Sequence, residues 1–247
     1  MSFQLPSTQE KAAFVHDQFE RIARRYDLLN DLMSLCMHRQ WKNAAVAELV
    51  GPQLTGDYLD VCCGTGDLAI RIAKRLKPEG TVTGIDFSKN MLSVASSRAW
   101  NAKQKGEINT RLNWIQGDAL ELPFPDNSFD GAIISFGLRN LTDLPKGIKE
   151  MARVVKPGGR IINLDLGHPS MPLFTPVFMF YFRHIVPILG EILQHDRSAY
   201  TYLPESLRTF PKPEVIAGFF RQANLDGVYH RELAFGTVAM NIGTKSK

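Results

Sequence analysis

Two short apolar runs that each carry a carboxylate, with a glycine turn between them, constrain this chain more than any other feature. The first run carries Asp60 and leads into Gly64-Thr65-Gly66, and the second run ends in Asp86. Glycine lets a backbone turn sharply and approach a ligand where a Cβ would clash. A carboxylate at the tip of the second strand can accept both hydroxyls of a ribose. The pattern predicts a nucleoside bound across the carboxyl ends of adjacent parallel strands.

The glycine turn is compatible with two cofactors. Gly64-x-Gly66-x-x-Ala69 matches the loose fingerprint of dinucleotide-binding folds, which is a weak signal when it stands alone. A carboxylate at Asp60 would repel a nearby pyrophosphate by about 1 to 4 kcal/mol. S-adenosyl-L-methionine (SAM) has no phosphate, and its sulfonium and ammonium groups would be attracted by that charge. We therefore expect SAM, with an NAD-dependent oxidoreductase as the alternative.

Length and composition fit one α/β domain. The 247 residues include no Pro/Gly/Ser-rich linker, and 44% of them are hydrophobic, which is ample for a substantial core. The net charge of +4 comes from 29 basic and 25 acidic residues that are scattered along the chain. A nucleic-acid partner would need a clustered basic patch, so we expect none. The charge is compatible with weak attraction to an anionic lipid surface.

The cysteines point to a reducing compartment. Cys36, Cys62 and Cys63 are odd in number and two are adjacent, so they form no disulfide framework, and their spacing offers no zinc site. The N-terminus is polar and charged, unlike a secretory signal. We expect a cytoplasmic protein without a metal.

Apolar runs alternate with helical patterns along the middle of the chain. Ser88 and Asp143 are placed to cap two of the helices. Strands of this length separated by helices predict a parallel, doubly wound sheet. The predicted strands are 58–63, 81–86, 111–116, 129–135 and 160–166, and the predicted helices are 67–76, 89–103 and 144–155.

The two ends of the chain depart from this alternation. Ser7-x-x-Glu10 reads as a capping box, and apolar side chains then recur every three or four residues as far as Met33. This spacing predicts a helical arm before the first strand. Toward the C-terminus, the extended runs 228–235 and 237–244 predict a closing antiparallel hairpin.

One domain, 1–247, is therefore expected to have three parts: the arm over 1–50, a cofactor-binding core over 56–167 and an apolar insertion over 168–210.

The order of motifs resembles that of class I SAM-dependent methyltransferases. The matching stretches are Asp60-x-x-x-Gly64-x-Gly66, Asp86, Gly117-Asp118-Ala119, Phe129-Asp130 and Lys156-Pro-Gly-Gly159. The resemblance implies that Asp86 takes the ribose hydroxyls, and that Asp118 and the backbone of Ala119 take the adenine. Ser135 would face the ligand from the tip of the fourth strand. The residues implied at the cofactor are Asp60, Gly64, Thr65, Gly66, Asp86, Phe87, Asp118, Ala119 and Ser135.

Longer stretches resemble the quinone C-methyltransferases of ubiquinone and menaquinone synthesis. They are the run from Tyr26 to Trp41, the run from Ser135 to Asp143 and Arg153-Val-Val-Lys156-Pro-Gly-Gly159. Where many bacterial members have Glu-x-Ser, this chain has Asp165-Leu-Gly167. That departure, with the Cys62-Cys63 pair, looks more like the naphthoquinone branch, and nearest the cyanobacterial and plastid enzymes that methylate 2-phytyl-1,4-naphthoquinone.

The resemblance implies methyl transfer from SAM to the ring of a reduced, demethylated prenyl naphthoquinone. Arg139, Asn140 and Tyr26 would lie at the ring, with Asp143 a further candidate. Arg139 bridging to Asp143 and Tyr26 in the core are the structural alternatives. The alternative substrate is a benzoquinol of the ubiquinone branch, and a non-catalytic scaffold with a SAM-binding fold is the alternative of another class.

The aromatic stretch between Met171 and Leu193 favours a prenyl-lipid substrate. Its apolar side chains could line a tunnel for an isoprenoid tail or rest on a bilayer surface. The alternatives are an ordinary buried helix and a homodimer contact. Expected partners are thus a prenylated naphthoquinol, with peripheral membrane contact and a homodimer as further options. The aromatic residues are Phe174, Phe178, Phe180, Tyr181 and Phe182.

Overall fold

A seven-stranded sheet with helices on both faces forms the frame of the protein in a computed structural model. The structure describes residues 8–23, 26–52, 54–169, 171–188 and 205–247. The strand order is β3-β2-β1-β4-β5-β7-β6. The strands are β1 Asp57–Val61, β2 Thr81–Asp86, β3 Arg111–Gln116, β4 Phe129–Ser135, β5 Val155–Leu166, β6 Leu225–Leu233 and β7 Val238–Lys245.

Five strands are parallel, and the last two close the sheet. Strands β1 to β5 pair in parallel, whereas β7 is antiparallel to both β5 and β6. The expected α/β class, a mostly parallel sheet with a closing hairpin, is confirmed. The helices are α1 Thr8–Ile22, α2 Tyr26–Met33, α3 His38–Val50, α4 Asp67–Arg75, α5 Lys89–Gln104, α6 Leu144–Val154, α7 Phe174–Phe180 and α8 Pro213–Gln222.

Both expected helix caps are formed. The Ser88 hydroxyl accepts from the Met91 N–H at 3.1 Å, and the Asp143 carboxylate accepts from the Lys146 N–H at 2.9 Å. Each cap satisfies an N–H group that has no partner inside its helix. These contacts fix where α5 and α6 begin, directly after the turns that follow β2 and β4.

The N-terminal arm is helical, as predicted. Its apolar stripe runs along two helices, α1 and α2, and Ser7 of the predicted capping box lies outside the described residues. Strand β5 begins earlier than predicted, at Val155, because the Lys156–Gly159 turn forms a shift in register against β4 rather than a connection before the strand.

Apolar layers cover each face of the sheet, and a third cluster lies beyond it. Helices α3 and α4 pack on one face and α6 and α8 on the other. The third cluster joins the arm to the segment after α7, through Ile22, Leu29, Phe182 and Val186. It therefore holds the arm over the carboxyl ends of the strands. In the described part of the chain, no helix has the length and apolar character needed to cross a membrane.

Strand order reverses between β1 and β4, so the turns after these strands diverge and leave a crevice. In open α/β sheets, ligands bind at such a switch point, outside the carboxyl ends of the strands. The glycine turn after β1 and Ser135 at the end of β4 lie at this point.

Candidate active site

The two glycines of the turn after β1 both have positive φ but different surroundings. Gly64 has φ +53°, and a Cβ added there would meet nothing within 4 Å. Gly66 has φ +74°, and a Cβ there would lie 2.6 Å from the Trp114 ring and 2.9 Å from the Ala95 Cβ. Gly64 therefore keeps space open in front of the turn, while Gly66 allows the turn to pack against the protein behind it.

Asp86 joins the glycine turn to the end of β2. Its carboxylate is 5% exposed and accepts the N–H of Gly64 at 2.8 Å and of Ser88 at 2.9 Å. Burial raises the pKa of Asp86, and these two N–H donors oppose the rise. A carboxylate has about four acceptor sites, so both oxygens can accept a further hydrogen bond.

A first cavity of about 310 Å³ lies over the glycine turn. Its size falls within the range of small-molecule sites. The Ser135 Oγ at its wall is buried and has no hydrogen-bond partner among the described residues. Six of the predicted cofactor residues line this cavity: Gly64, Asp86, Phe87, Asp118, Ala119 and Ser135.

The other three predicted cofactor residues do not line this cavity. Asp60 is 1% exposed and accepts the Ala69 N–H at 2.9 Å, so it holds the first turn of α4. Burial raises the pKa of Asp60 to about 8, although the Ala69 hydrogen bond and the charge of Lys42 both act to lower it. Thr65 donates to Asp27 of α2 at 2.9 Å. A direct contact of Asp60, Thr65 or Gly66 with the cofactor stays a prediction.

Helix α1 forms one side of the first cavity, which the sequence did not indicate. The Lys11 Nζ donates to the carbonyls of Arg139 at 3.0 Å and Leu141 at 2.8 Å, on the β4 side. On the β2 side, the Glu20 carboxylate accepts the Ser88 hydroxyl at 2.6 Å. Burial and the nearby Arg139 charge lower the pKa of Lys11. The helix contributes five lining residues, Ala12, Ala13, Val15, His16 and Phe19.

A second cavity of about 460 Å³ adjoins the first. Its walls are mostly apolar and come from α2, α7 and the turn between β6 and β7. Phe174, Phe178 and Phe182 stack along it, with ring centroids 5.9 and 5.3 Å apart. The two cavities share four lining residues, Phe19, Tyr26, Phe136 and Asn140.

The predicted ring residues fall into two groups. Tyr26 and Asn140 lie where the cavities meet, and Arg139 lines the second cavity. Arg139 is buried and donates to the Asp165 carboxylate from its guanidinium at 2.8 Å and from its backbone N–H at 3.2 Å. The bridge thus goes to Asp165 rather than to Asp143. Asp143 caps α6 and lines neither cavity.

Comparison with known proteins identifies the family. The model of the ubiE/COQ5 methyltransferase family matches residues 7–245. The chain belongs to this family. Similar curated relatives include the demethylmenaquinone methyltransferase of Desulfitobacterium hafniense, 42% identical over 98% of this chain and 93% of that protein. The enzyme of the same name from Bacillus licheniformis is 40% identical over 96% of this chain and 99% of its own length.

Solved structures resemble this ubiE/COQ5 family member in fold. A possible histamine N-methyltransferase from Thermotoga maritima has a TM-score of 0.64 at 18% identity and covers 94% of this chain and 99% of its own. Phosphoethanolamine N-methyltransferase 2 from Haemonchus contortus, solved with SAM, has a TM-score of 0.61 at 17% identity and covers 84% of this chain and 53% of its own. The fold is that of class I SAM-dependent methyltransferases.

The ubiE/COQ5 family member is therefore a SAM-dependent methyltransferase, and the first cavity fits this cofactor. The open space before Gly64 admits a close ligand, and the Ser135 hydroxyl supplies a buried polar group that a ligand can satisfy. The Asp86 carboxylate offers paired acceptors at the end of β2. The NAD alternative is not supported by the family.

Proposed function

We propose that this methyltransferase adds a methyl group to the ring of a reduced, demethylated prenyl naphthoquinone. The substrate is demethylmenaquinol or 2-phytyl-1,4-naphthoquinol. The observation that carries the proposal is the junction, at Tyr26 and Asn140, of a cavity lined by Asp86 and Ser135 with a larger, mostly apolar cavity. Relatives about 40% identical that are named demethylmenaquinone methyltransferases support it.

The first cavity holds the cofactor in this proposal. Asp86 accepts the ribose hydroxyls, Asp118 and the Ala119 backbone receive the adenine, and Ser135 satisfies a polar group of the amino-acid part. When bound, SAM supplies a methyl group on a positively charged sulfur. Helix α1 forms one side of the cavity and is held there by the contacts of Lys11 and Glu20.

The quinol ring occupies the junction of the two cavities. Tyr26 and Asn140 hydrogen-bond the ring oxygens and fix which ring carbon faces the first cavity. A ring hydroxyl gives its proton to water, and the guanidinium of Arg139 stabilises the oxyanion that results. The ring carbon then donates the electron pair for the new carbon–carbon bond, while the bond between the methyl carbon and the sulfur breaks and its electron pair stays on the sulfur. The proton that this ring carbon carried passes to water as the ring becomes aromatic again.

The second cavity receives the prenyl tail. Its stacked rings Phe174, Phe178 and Phe182 offer an apolar wall without a charged group. An isoprenoid chain gains about 25 cal/mol for each Å² that it buries against such a wall. Because a substrate of this kind dissolves in bilayers, we infer that the protein works on the cytoplasmic side of a membrane as a peripheral protein.

Labelled SAM and chemically reduced substrates test the proposal. The protein is incubated anaerobically with demethylmenaquinol, with 2-phytyl-1,4-naphthoquinol and with a demethylated benzoquinol, and the products are identified by mass. We expect labelled methyl in a naphthoquinol product, and none with the Asp86→Ala variant. Label in the benzoquinol alone would move the protein to the ubiquinone branch, and SAM binding without transfer to any quinol would favour a non-catalytic scaffold.

A further inference from the structure

Helix α7 and the helical segment after it are apolar on two faces. Phe178 and Phe182 line the second cavity, while Leu173 and Phe180 are 90% and 62% exposed and line no described cavity. Val177, which is 67% exposed, lies at the edge of the second cavity. A helix that is hydrophobic all round is normally buried on all sides. The inner face has its partner in the walls of the cavity, so the outer face is the one that remains to be explained.

Helix α2 repeats this arrangement beside the same cavity. Leu29 and Met33 line the cavity, and Leu28 and Leu32 are exposed one turn apart on the outside of the helix. Leu35, beyond the end of α2, is exposed and also lines the cavity. The Tyr181 hydroxyl donates to the Met33 carbonyl at 3.2 Å, which joins the segment after α7 to α2.

A third segment, the turn between β6 and β7, completes the edge of the cavity. It carries Phe235, which is 62% exposed and packs against Phe174 with ring centroids 5.1 Å apart. The exposed apolar side chains of these three segments form one surface, which we call the rim surface: Leu35, Met37, Leu173, Val177, Phe180 and Phe235. Several of these side chains also line the second cavity, so the second cavity opens within the rim surface.

The charge around the rim surface has one sign on the α7 side. From 166 to 188 the chain contains no Asp or Glu, and Arg183 is exposed one turn after Phe180. Basic side chains beside an apolar surface are attracted to anionic lipid head groups, by about 1 kcal/mol each near the membrane. An apolar surface of this kind, with a cationic neighbour, matches the way interfacial helices lie on bilayers.

We propose that the rim surface docks on an anionic phospholipid bilayer, and that the prenyl tail passes from the lipid into the second cavity through the opening in that surface. The inference rests on the proposed function, which places the tail in this cavity. A bilayer covers the apolar side chains and leaves the opening in contact with hydrocarbon. A second copy of the chain on the same surface would instead seal the opening.

Vesicle flotation tests the docking without requiring turnover. The full chain is mixed with vesicles of phosphatidylcholine and phosphatidylglycerol, and the Leu173→Glu/Phe180→Glu variant is compared with the wild type. Neither residue lines a described cavity. We expect the variant to need at least about 10-fold more lipid for half-maximal binding. Trp100→Glu and Val215→Glu, at exposed apolar positions on α5 and α8, are the matched controls and should bind as the wild type does.

Two further measurements separate the possible results. The double variant should keep wild-type turnover on a tail-less naphthoquinol in buffer, and wild-type binding should fall when phosphatidylglycerol is omitted. Undiminished flotation of the variant, or equal loss in the controls, would overturn the proposal. A wild-type dimer that becomes monomeric in the variant, with no lipid binding by either, would also overturn it and identify a dimer contact. Vesicle binding without methylation of any quinol would leave the docking surface standing and remove the proposed substrate.

Discussion

Gly64 and Gly66 lie two residues apart in one turn, but a side chain at each would meet different atoms. Both have positive φ, so alanine at either position carries a strain of about 1 kcal/mol. At Gly66 the new Cβ would also strike the Trp114 ring and Ala95, an overpacking that costs about 1 to 3 kcal/mol more. From the sequence alone, bulk at Gly66 would be expected to occupy ligand space, but the structure places protein there.

The paired variants Gly64→Ala and Gly66→Ala separate binding from folding. We expect Gly64→Ala to weaken SAM binding by about tenfold, or 1.4 kcal/mol, because its Cβ projects into the open space at the first cavity. Gly66→Ala should lower the melting temperature of the ligand-free protein more than Gly64→Ala does. Calorimetry with SAM and thermal unfolding measure the two effects. A larger loss of stability at Gly64 would contradict the assignment.

Asp60 predicts a pH dependence of stability. Burial raises its pKa from 3.8 to about 8, so between these values the folded protein keeps a proton that the unfolded chain has lost. Stability must therefore fall as pH rises through this window, by up to about 1.4 kcal/mol per pH unit from this group. Burial shifts the pKa of Asp86 in the same direction.

Asp60→Asn removes the titrating group while an amide oxygen can still accept the Ala69 N–H. We expect the free energy of unfolding of this variant to change less between pH 5 and pH 8 than that of the wild type. Denaturant unfolding without SAM at several pH values measures the slope. Parallel slopes for the two proteins would mean that Asp60 is ionised throughout the range.

At the scale of elements, the strand boundaries could be predicted from the sequence more fully than the contacts around the site. Strands β2, β3 and β4 begin and end where predicted. The runs of β2 and β4 are mostly buried, whereas β3 at the edge of the sheet is partly exposed and ends directly before Gly117. The sequence does not predict the end of α1 at Ile22, because the apolar spacing continues from Ile22 to Tyr26. A continuous stripe indicates a buried face without indicating where one helix ends.

The partners of the site residues could not be read from the chain. The stripe along α1 predicts a buried face, but periodicity does not tell what that face packs against. The sequence therefore does not predict that α1 lines the first cavity. Arg139 and Asp165 are 26 positions apart and meet only because β5 lies beside β4. The predicted cofactor residues at strand ends do converge, since strand ends of a parallel sheet share one edge.

Helix α7 carries a prediction about the tail. Phe178 lies between Phe174 and Phe182 in the wall of the second cavity, whereas Phe180 points to the opposite, exposed side. Phe178→Asp should lower turnover on a long-tailed quinol far more than on a tail-less one, since a charge in the apolar wall opposes burial of the tail. Phe180→Asp, assayed in detergent, is the control and should retain both activities. Equal losses on both substrates in Phe178→Asp would point to misfolding.

For the whole molecule, the proposed methyl transfer requires the substrate in its reduced form. An oxidised quinone ring is electron-poor and has no electron pair to offer to a methyl group. Its quinol, once a hydroxyl has lost a proton, carries charge onto the ring carbon. We expect methyl transfer to the quinol alone. Anaerobic assays with reduced and oxidised substrate measure this directly, and equal rates on both would exclude the mechanism.

In the proposed mechanism an oxyanion forms on the quinol and needs a cation beside it. Arg139, which lines the second cavity next to Asn140, is the residue predicted for this role. Removing its charge outright would leave the buried Asp165 without a cation, a loss of about 3 to 5 kcal/mol that would confuse folding with catalysis. Arg139→Lys keeps a positive charge but loses the planar, forked donor. We expect its kcat on the quinol to fall by about 100-fold, as for loss of one oxyanion donor, with the Kd for SAM and the melting temperature near wild type. Wild-type kcat would place Arg139 away from the reacting ring, and a fall in kcat that follows a fall in melting temperature would assign it to the Asp165 bridge alone.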